Sequence, residues 1–277
     1  MNAQIVVIIG VGGIGLSIAR RQGVGKTVLL ADFNETVLEA AAGTLRDAGY
    51  TVETATVDLS SRASVRALAQ KAALLGDVVQ VVGAAGVSPN MASVAKILAV
   101  DLYGTAVMLE EFGEVVASGG AGLIVSSAAG HMMPALPQDQ NEALARAPAD
   151  ELLDLAFLHE DALPNSTVAY MMSKRANHLR VEAEAVRWGA RGARVNTVSP
   201  GMIATAMGQH ELNSKDGEAY RARIAEAPAG RVGTPDEIAS AAAYLLGADA
   251  AYVTGADLLI DGGGVAMMRA GRTDVPQ

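Results

Sequence analysis

The segment Gly10-Val-Gly12-Gly-Ile-Gly15 constrains the fold more than any other, because it follows a β-branched run and opens a helical pattern. The run itself, at 5–9, predicts a buried strand. In a G-x-G-x-x-G turn, Gly10 permits the tight bend, Gly12 lets a pyrophosphate approach the backbone, and Gly15 allows close helix–strand packing. Free N–H groups at the helix start then face the phosphates. This unit predicts a dinucleotide-binding fold.

Strand and helix patterns alternate along the rest of the chain. Further strands are predicted at 27–31, 51–57, 78–82, 122–125, 194–198 and 257–260. Helical patterns fill the intervals, at about 34–48, 60–75, 92–117 and 166–188, and from Thr234 onward. This alternation predicts an α/β fold with a doubly wound, parallel, seven-stranded sheet and helices on both faces. Because no repeat and no linker composition interrupts it, residues 1–277 are predicted to form a single domain.

Composition and charge narrow the classes of partner. Hydrophobic residues make up 51% of the 277 residues and aromatic residues 4%, which suits small-residue packing and disfavours a base-stacking surface. The formal net charge of −9 repels phosphate backbones, so neither nucleic acid nor an anionic membrane is expected as a partner. No apolar run reaches the roughly 18 residues of a membrane span, and no basic residues precede the apolar start of the chain. We therefore expect a soluble, cytoplasmic protein.

Thiol and metal chemistry are disfavoured. The chain has no cysteine, which excludes disulfides, thiolate catalysis and cysteine-ligated metals. The four histidines show no paired metal-ligand spacing; they are His131, His159, His178 and His210. No metal site is therefore predicted.

Tyr170 and Lys174 lie four residues apart near the start of the 166–188 helical pattern. Residues at i and i+4 share a helix face, so the phenol and the ammonium project into one space. A nearby cation lowers the pKa of a phenol, which would let Tyr170 donate and accept a proton near neutral pH. The same spacing occurs by chance on many solvated helix faces, so its weight depends on the rest of the chain.

Two aspartates follow predicted strands on the glycine-turn side. Asp32 ends the second strand, where a carboxylate can accept both ribose hydroxyls of NAD and would repel the 2′-phosphate of NADP. Its plainer interpretation is a loop carboxylate or a helix-start acid. Asp58 follows the third strand and is predicted to meet the edge of the adenine; as an isolated residue it would be a turn aspartate.

Together these residues resemble the short-chain dehydrogenase/reductase family, of the kind with a single Rossmann domain, over about residues 6–263. The matching elements, in family order, are the glycine turn, Asp32, Asp58, the loop 85–86, Ser127, Tyr170 with Lys174, the turn 200–201 and the segment 261–263. Chance explains any one of these matches easily and the whole ordered set poorly.

The resemblance implies an NAD(H)-dependent oxidoreductase that interconverts an alcohol and a carbonyl. Tyr170 would exchange a proton with the substrate oxygen, Lys174 would lower the pKa of Tyr170 and hold the nicotinamide ribose, and Ser127 would polarise the carbonyl. Ser127 could instead be a strand-end turn residue, and Ser126 beside it is easily confused with it. The implied cofactor site comprises Gly10, Gly12, Gly13, Ile14, Gly15, Asp32, Phe33, Asp58, Leu59, Ala84, Ala85, Gly86, Tyr170, Lys174, Pro200, Gly201, Ile203 and Thr205.

Three positions depart from the family pattern. Ile9 replaces the threonine of the usual turn, which is also one residue shorter here, and Ala84 replaces an asparagine in the loop 83–86. Asp101 stands where the family has an asparagine that holds a water near the lysine. An aspartate can still hold that water, and its charge would favour protonated Lys174 while opposing ionised Tyr170. We therefore expect retained activity, with Asp101 as a catalytic-site residue and a pH profile shifted upward.

A helical insertion at about 131–165 separates Ser127 from Tyr170. It is either a satellite that packs its apolar residues on the domain or a lid over the substrate, enclosing an apolar or bulky carbonyl compound. It could also obstruct the helix-to-helix association of the family, whose members are expected to form homodimers or homotetramers.

Other activities remain open at this point. Sugar-nucleotide epimerisation or dehydration usually needs a larger C-terminal substrate region than the one that follows Gly201. Enoyl reductases of the family space the tyrosine and lysine more widely. A catalytically silent dinucleotide sensor would have no need to retain Ser127, Tyr170 and Lys174 together, although Ala84 and Asp101 leave it open.

Overall fold

The computed structural model describes residues 2–159 and 161–271. Within them, seven strands form one parallel sheet in the order β3-β2-β1-β4-β5-β6-β7. The strands are β1 Gln4–Ile9, β2 Thr27–Asp32, β3 Thr51–Thr56, β4 Asp77–Gly83, β5 Val116–Val125, β6 Arg194–Pro200 and β7 Asp257–Ile260. The predicted doubly wound α/β fold is confirmed.

Helices cover both faces of the sheet. In the same described residues they are α1 Gly13–Gln22, α2 Glu35–Asp47, α3 Arg62–Leu75, α4 Val94–Ile97, α5 Gly104–Gly113, α6 Ala129–Met132, α7 Gln138–Arg146, α8 Ser166–Ala190, α9 Ala206–Leu212, α10 Gly217–Glu226, α11 Pro235–Leu246 and α12 Gly264–Ala270. Alternate residues of β1 point to opposite faces: Val7 joins the core under α3, α5 and α8, and Ile8 joins the core under α1, α2 and α11. Both are fully buried, as expected for a central parallel strand.

Side-chain caps start the helices where the sequence indicates. Asn34 Oδ1 accepts from the N–H of Val37 at the start of α2. Ser61, rather than its neighbour Ser60, caps α3. Thr234 and Glu237 form a reciprocal capping box at the start of α11, which satisfies two backbone donors that the first helical turn leaves free.

Strand register brings the carboxyl ends of four strands to one edge of the sheet. Ile9 of β1 pairs with Ala31 of β2 and with Gly83 of β4, which in turn pairs with Ile124 of β5. Chain order reverses between β1 and β4, and ligands of open α/β sheets bind in the crevice at such a reversal. The glycine turn, Asp32 and the loop after β4 therefore face one crevice.

The helix predicted at 92–117 ends earlier, at Gly113, and β5 begins at Val116 instead of 122. Gly113 lies against the indole of Trp188, where a side chain would be 3.0 Å from Nε1. Gly119, with φ of +79°, lets the new strand bulge between its pairings with Val78 and Gln80. Such bulges are not visible in hydrophobic periodicity.

A π-helical turn, Leu98–Tyr103, joins α4 to α5 and carries Asp101. Wider turns of this kind inside α-helices often occur at functional sites, because the extra residue redirects a side chain. Here the turn points Asp101 into the interior, where it is 1% exposed.

The 131–165 segment packs on the helices of one sheet face. Leu144, Leu152 and Leu158 are buried in the same cluster as Trp188 of α8. These residues lie in α7 and in two 3₁₀ turns, Ala149–Asp154 and Ala156–Leu158. The segment therefore extends the hydrophobic core of the domain.

Charged side chains hold this insertion in place. Arg62 of α3 donates to Asp150 of the insertion at 2.9 Å and to Glu110 of α5 at 2.6 Å. Glu110 also accepts from the N–H of Ala149 at 3.0 Å. Arg180 of α8, 2% exposed, donates to two backbone carbonyls of the insertion. Charge-assisted hydrogen bonds of this kind are about twice as strong as neutral ones.

Within the described residues, no helix combines the length and the apolar character that crossing a membrane requires.

Candidate active site

The glycine turn leaves an open, polar surface at the start of α1. Gly10 has φ of +94°, and a side chain there would overlap the backbone of Ala85. A methyl group at Gly15 would overlap the carbonyl oxygen of Gly10. Gly12 is exposed, has open space around its Cα and precedes α1 with no side-chain cap. The first N–H groups of α1 are thus free to bind an anion.

Asp32 lies directly beside this turn. Its Oδ2 accepts from the N–H of Val11 at 3.0 Å, and its Oδ1 accepts from the N–H of Asn34 at 2.9 Å. Each carboxylate oxygen has a second lone pair, so the side chain can still accept from two hydroxyl groups. The neighbouring Phe33 is 71% exposed, and the ammonium of Lys96 lies 5.5 Å from its ring centroid.

Asp58 and Leu59 lie further along the same edge. Asp58 Oδ1 accepts from the N–H and the hydroxyl of Ser60, at 2.9 and 2.6 Å. The hydrogen bond from the Ser60 hydroxyl is the main cause of a lowered Asp58 pKa. Leu59 is 7% exposed and packs against Gly104. Because of these contacts, Asp58 is held as a carboxylate at the end of β3, and its role at the adenine stays a prediction.

A cavity of about 370 Å³ lies between the glycine turn and α8. The residues predicted for the site that line it are Gly12, Gly13, Ile14, Gly15, Ala84, Ala85, Gly86, Ser127, Tyr170, Lys174, Pro200, Gly201, Ile203 and Thr205. Gly10 lies beneath the turn, and Asp32, Phe33, Asp58 and Leu59 lie outside the cavity wall. Asp101 is buried behind Gly86, whose added side chain would be 3.2 Å from Asp101 Oδ1.

Tyr170 and Lys174 line the cavity, and Asp101 lies directly behind them. Lys174 Nζ lies 5.3 Å from the Tyr170 ring centroid and 3.6 Å from Asp101 Oδ2. Asp101 Oδ1 accepts from the N–H of Val87 at 2.9 Å, which ties the loop after β4 to the π-helical turn. Asp101 Oδ2 is buried and has no hydrogen-bond partner among the described residues. That free lone pair suits the water that the family resemblance implies.

The two serines after β5 have separate environments. Ser126 is buried and donates to the carbonyl of Lys174 at 3.0 Å, so it joins β5 to α8. Ser127 Oγ accepts from the N–H of Ala129 at 3.1 Å, and it lies near enough to the Tyr170 hydroxyl to lower the Tyr170 pKa. Ser127 is therefore the serine that can hydrogen-bond to the same ligand atom as the Tyr170 hydroxyl.

Burial and charge act in opposite directions on Tyr170. Burial raises the pKa of Tyr170, and the ammonium of Lys174 lowers it without compensating fully. The Asp101 carboxylate raises the Tyr170 pKa further, whereas the Ser127 hydroxyl lowers it. The pKa of Tyr170 is thus raised overall, which differs from the lowered value expected from Lys174 alone.

The buried ion pair keeps Lys174 charged. Burial lowers the pKa of Lys174, but Asp101 and Tyr170 raise it more, so the net direction is upward. Burial raises the pKa of Asp101, which the ammonium of Lys174 opposes. Asp101 therefore favours protonated Lys174 and opposes ionised Tyr170, as the sequence predicts.

The cover of the cavity lies in a stretch of the chain where the sequence contains no motif. It consists of α9 and α10, and its lining side chains include Glu211, Tyr220 and Arg223. These helices are short, and their residues match no motif. Their role becomes visible only when the chain folds back over the sheet edge.

A cluster of His131, His178 and Asp257 escaped the sequence analysis, because its members are distant in sequence. The side-chain nitrogen and oxygen atoms that could ligate a metal ion lie within 4.8 Å of one another. His131 Nε2 is 2.6 Å from Asp257 Oδ2, and Asp257 Oδ1 accepts from the hydroxyls of Thr197 and Ser199. Burial lowers the pKa of His178 to about 4. These hydrogen bonds account for the cluster as a polar network beneath α6; the absence of a metal stays a prediction.

Comparisons with known proteins agree with this geometry. A family profile described as "short chain dehydrogenase" matches residues 4–137, and one described as "Enoyl-(Acyl carrier protein) reductase" matches residues 140–264. A short-chain dehydrogenase/reductase, bsc3 of Alternaria brassicicola, is 40% identical over 97% of this chain and 98% of its own. D-threitol dehydrogenase of Mycolicibacterium smegmatis is 32% identical over 91% and 88%. Among solved structures, 3-alpha-hydroxysteroid dehydrogenase from Pseudomonas sp. B-0831, complexed with NADH, has a TM-score of 0.78 at 28% identity, covering 96% of this chain and 98% of that one.

Proposed function

The chain belongs to the short-chain dehydrogenase/reductase family of oxidoreductases, and from this premise we propose that it interconverts an alcohol and a carbonyl with NAD(H). The observation that carries the proposal is the convergence of Ser127, Tyr170 and Lys174 on the cavity that also contains the glycine turn. The relatives include a D-threitol dehydrogenase and a 3-alpha-hydroxysteroid dehydrogenase/carbonyl reductase, so their names leave the substrate class open.

The residues at the sheet edge fit a nicotinamide dinucleotide. Gly12 offers backbone space and uncapped N–H groups to the pyrophosphate. Asp32 offers carboxylate lone pairs to ribose hydroxyls, and Asp58 lies where the adenine edge is expected. A 2′-phosphate would meet the charge of Asp32, which is the basis for proposing NAD over NADP.

The side chains around the cavity then have distinct tasks. When bound, the nicotinamide supplies or accepts the hydride. The Tyr170 hydroxyl gives a proton to the carbonyl oxygen during reduction and takes it back during oxidation. Lys174 stays protonated beside Asp101 and stabilises the phenolate electrostatically. Ser127 donates a hydrogen bond to the same substrate oxygen, where charge develops.

Enoyl reduction and epimerisation are less well supported by the site. The Tyr170–Lys174 spacing of four residues is tighter than that of the family's enoyl reductases. A catalytically silent sensor would bind NADH and turn over no carbonyl.

We propose a homodimer or homotetramer as the assembly, in a soluble cytoplasmic protein. One helix face that the family could use for association, on α5 and α8, is partly covered here by the insertion.

We expect the protein to oxidise NADH faster than NADPH in the presence of aliphatic, cyclic and aromatic ketones. Asp32→Asn should reduce that preference about tenfold or more, because it removes a full charge next to the ribose. The measurement is the ratio of kcat/KM values for the two cofactors. Asp47→Asn, at the exposed end of α2, is the matched control and should leave the ratio unchanged.

Two results would contradict this proposal. Tighter binding of NADPH than of NADH by the unmodified protein would overturn the assignment of Asp32. Clear NADH binding with no turnover of any carbonyl compound would favour the sensor.

Asp101→Asn should shift the pH–rate profile for alcohol oxidation to lower pH by about one unit. The Asp101 carboxylate raises the pKa of Tyr170, and oxidation needs the phenolate as proton acceptor. Its removal lowers the pH at which the rate reaches its plateau. The check is kcat/KM measured between pH 6 and 10, with Asp77→Asn, on the exposed start of β4, as a control. An unchanged profile would show that Asp101 does not tune the tyrosine.

A further inference from the structure

Among the described residues that line the cavity beside Tyr170, Glu211 is a charged acceptor whose side chain belongs to no hydrogen-bond network. Glu211 of α9 lines the cavity together with Met207 of the same helix and Ile224 of α10. Met132 and Met171 also line it, so the cavity offers apolar side chains as well as this carboxylate. Three methionine thioethers and the aliphatic side chain of Ile224 can pack on a carbon skeleton without donating hydrogen bonds. The methionines are Met132, Met171 and Met207.

The Glu211 carboxylate has no hydrogen bond and no ion pair with any residue that the structure describes. Its backbone carbonyl accepts from the Ser214 hydroxyl at 2.7 Å, but this bond does not involve the side chain. The side chain is half-buried, and burial raises the pKa of Glu211. A half-buried carboxylate without a protein partner loses part of its hydration with nothing in return. A ligand that donates a hydrogen bond would restore it.

Glu211 lines the same cavity as the reacting group, Tyr170. Burial raises the pKa of Tyr170 on α8 and that of Tyr220 on α10, and the charge of Glu211 raises both further. Arg223 also lines the cavity, but it is exposed and forms no salt bridge with Glu211 within the described part of the chain. The carboxylate therefore stays available in the cavity that also contains the Tyr170 phenol.

We propose that Glu211 is the specificity-determining residue of this site and accepts a hydrogen bond from a substrate hydroxyl, so that the preferred substrate is a hydroxylated carbonyl compound or the corresponding diol. This inference rests on the oxidoreductase function proposed above and adds its substrate class. A ketone without the hydroxyl leaves Glu211 desolvated and unpaired. Sites built to hydrogen-bond a substrate group reject analogues that lack it more strongly than apolar pockets reject a missing methylene.

The test compares ketones that differ by one hydroxyl group. We expect 4-hydroxycyclohexanone to bind about tenfold or more tightly than cyclohexanone, and 4-hydroxy-2-butanone more tightly than 2-butanone. Calorimetry with the protein saturated with NAD⁺, which cannot reduce a ketone, gives the Kd, and steady-state kinetics with NADH give kcat and KM for the same pairs. The difference should lie mainly in KM, because Glu211 holds the substrate in both the ground state and the transition state.

Three variants separate the role of the carboxylate from a structural one. Glu211→Met should remove the preference, and the plain ketone should still be reduced, with a pH–rate profile moved downward because the charge near Tyr170 is lost. Glu211→Gln should keep part of the preference, since an amide oxygen still accepts, and should move the pH–rate profile of the plain ketone downward through the loss of charge near Tyr170. Glu218→Gln, on the exposed face of α10, is the matched control and should change neither. Thermal melting of each variant checks that the fold is retained.

Several outcomes would overturn the inference. These are equal affinity of the unmodified protein for both members of each pair, or an unchanged preference in Glu211→Met. Stronger preference for 4-aminocyclohexanone would assign the site to a cation, and preference for 4-oxopentanoate would assign it to Arg223. A hydroxyl preference in binding that disappears in Glu211→Met, without turnover of any ketone, would support the Glu211 site and contradict the oxidoreductase function.

Discussion

Tyr170→Phe is expected to lower kcat by about 10³-fold, within the range that general acid–base groups contribute. The change removes the one hydroxyl that can exchange a proton with the substrate oxygen at the position where Ser127 and Lys174 converge. It retains the ring that lies under the Lys174 ammonium at 5.3 Å. Burial and packing should therefore be preserved, and the Kd for NADH should change by less than about threefold, since a cation–π contact to phenylalanine replaces one to tyrosine.

The measurement is single-turnover and steady-state oxidation of NADH with the best ketone of the panel, alongside NADH binding by fluorescence. Tyr244→Phe, a half-exposed tyrosine on α11, is the matched control and should retain full activity. A Tyr170→Phe enzyme that keeps more than a tenth of its kcat would assign the proton transfer to another group, such as Ser127 or a water held by Asp101.

The parts of this site that follow from sequence are those carried by short local patterns. The glycine turn is read from residues 10–15 because strand, turn and helix are contiguous there. Tyr170 and Lys174 share a face because an α-helix has 3.6 residues per turn. The order of such motifs resembles the family closely enough to predict the fold and the side of the sheet on which the site lies.

The parts that sequence did not reveal depend on contacts between distant segments. The bulge in β5 follows from its pairing with β4 across Gly119. The net pKa direction at Tyr170 depends on how much burial the tertiary fold imposes, and i, i+4 spacing contains no information about burial. Glu211 reaches the cavity because α9 folds back over the sheet edge. No sequence pattern in 206–227 predicts this position.

The insertion at 131–165 also combines a feature that its sequence predicts with one that depends on contacts between distant segments. Its apolar residues predict that it must bury a face, and the sequence leaves open whether that face covers the substrate or the domain. The structure buries Leu144, Leu152 and Leu158 with the core of α5 and α8, while Met132 is its contribution to the cavity wall. The deciding contacts come from Arg180, which lies outside the segment.

Arg180→Met is expected to lower the free energy of unfolding by about 3–5 kcal/mol, the usual cost of removing one partner from a buried charged network. Arg180 is 2% exposed and donates to Leu144 O at 3.0 Å and to Ala147 O at 2.7 Å. It also lies 3.7 Å from Glu110, whose Oε1 holds the N–H of Ala149. Methionine fills similar space but leaves both carbonyls without a donor and Glu110 with less positive charge nearby.

Burial lowers the pKa of Arg180, which shows that holding a guanidinium here has a desolvation cost opposing its hydrogen bonds. Whether Arg180 stabilises the fold therefore depends on whether its hydrogen bonds outweigh its desolvation cost. Its three charge-assisted contacts favour a net stabilising role. Equilibrium urea unfolding measures the difference. Arg187→Met, on the same helix but 42% exposed in its side chain, should cost no more than about 1 kcal/mol. If Arg180→Met were as stable as the parent, desolvation would offset the bonds, and the leucines alone would hold the insertion on α8.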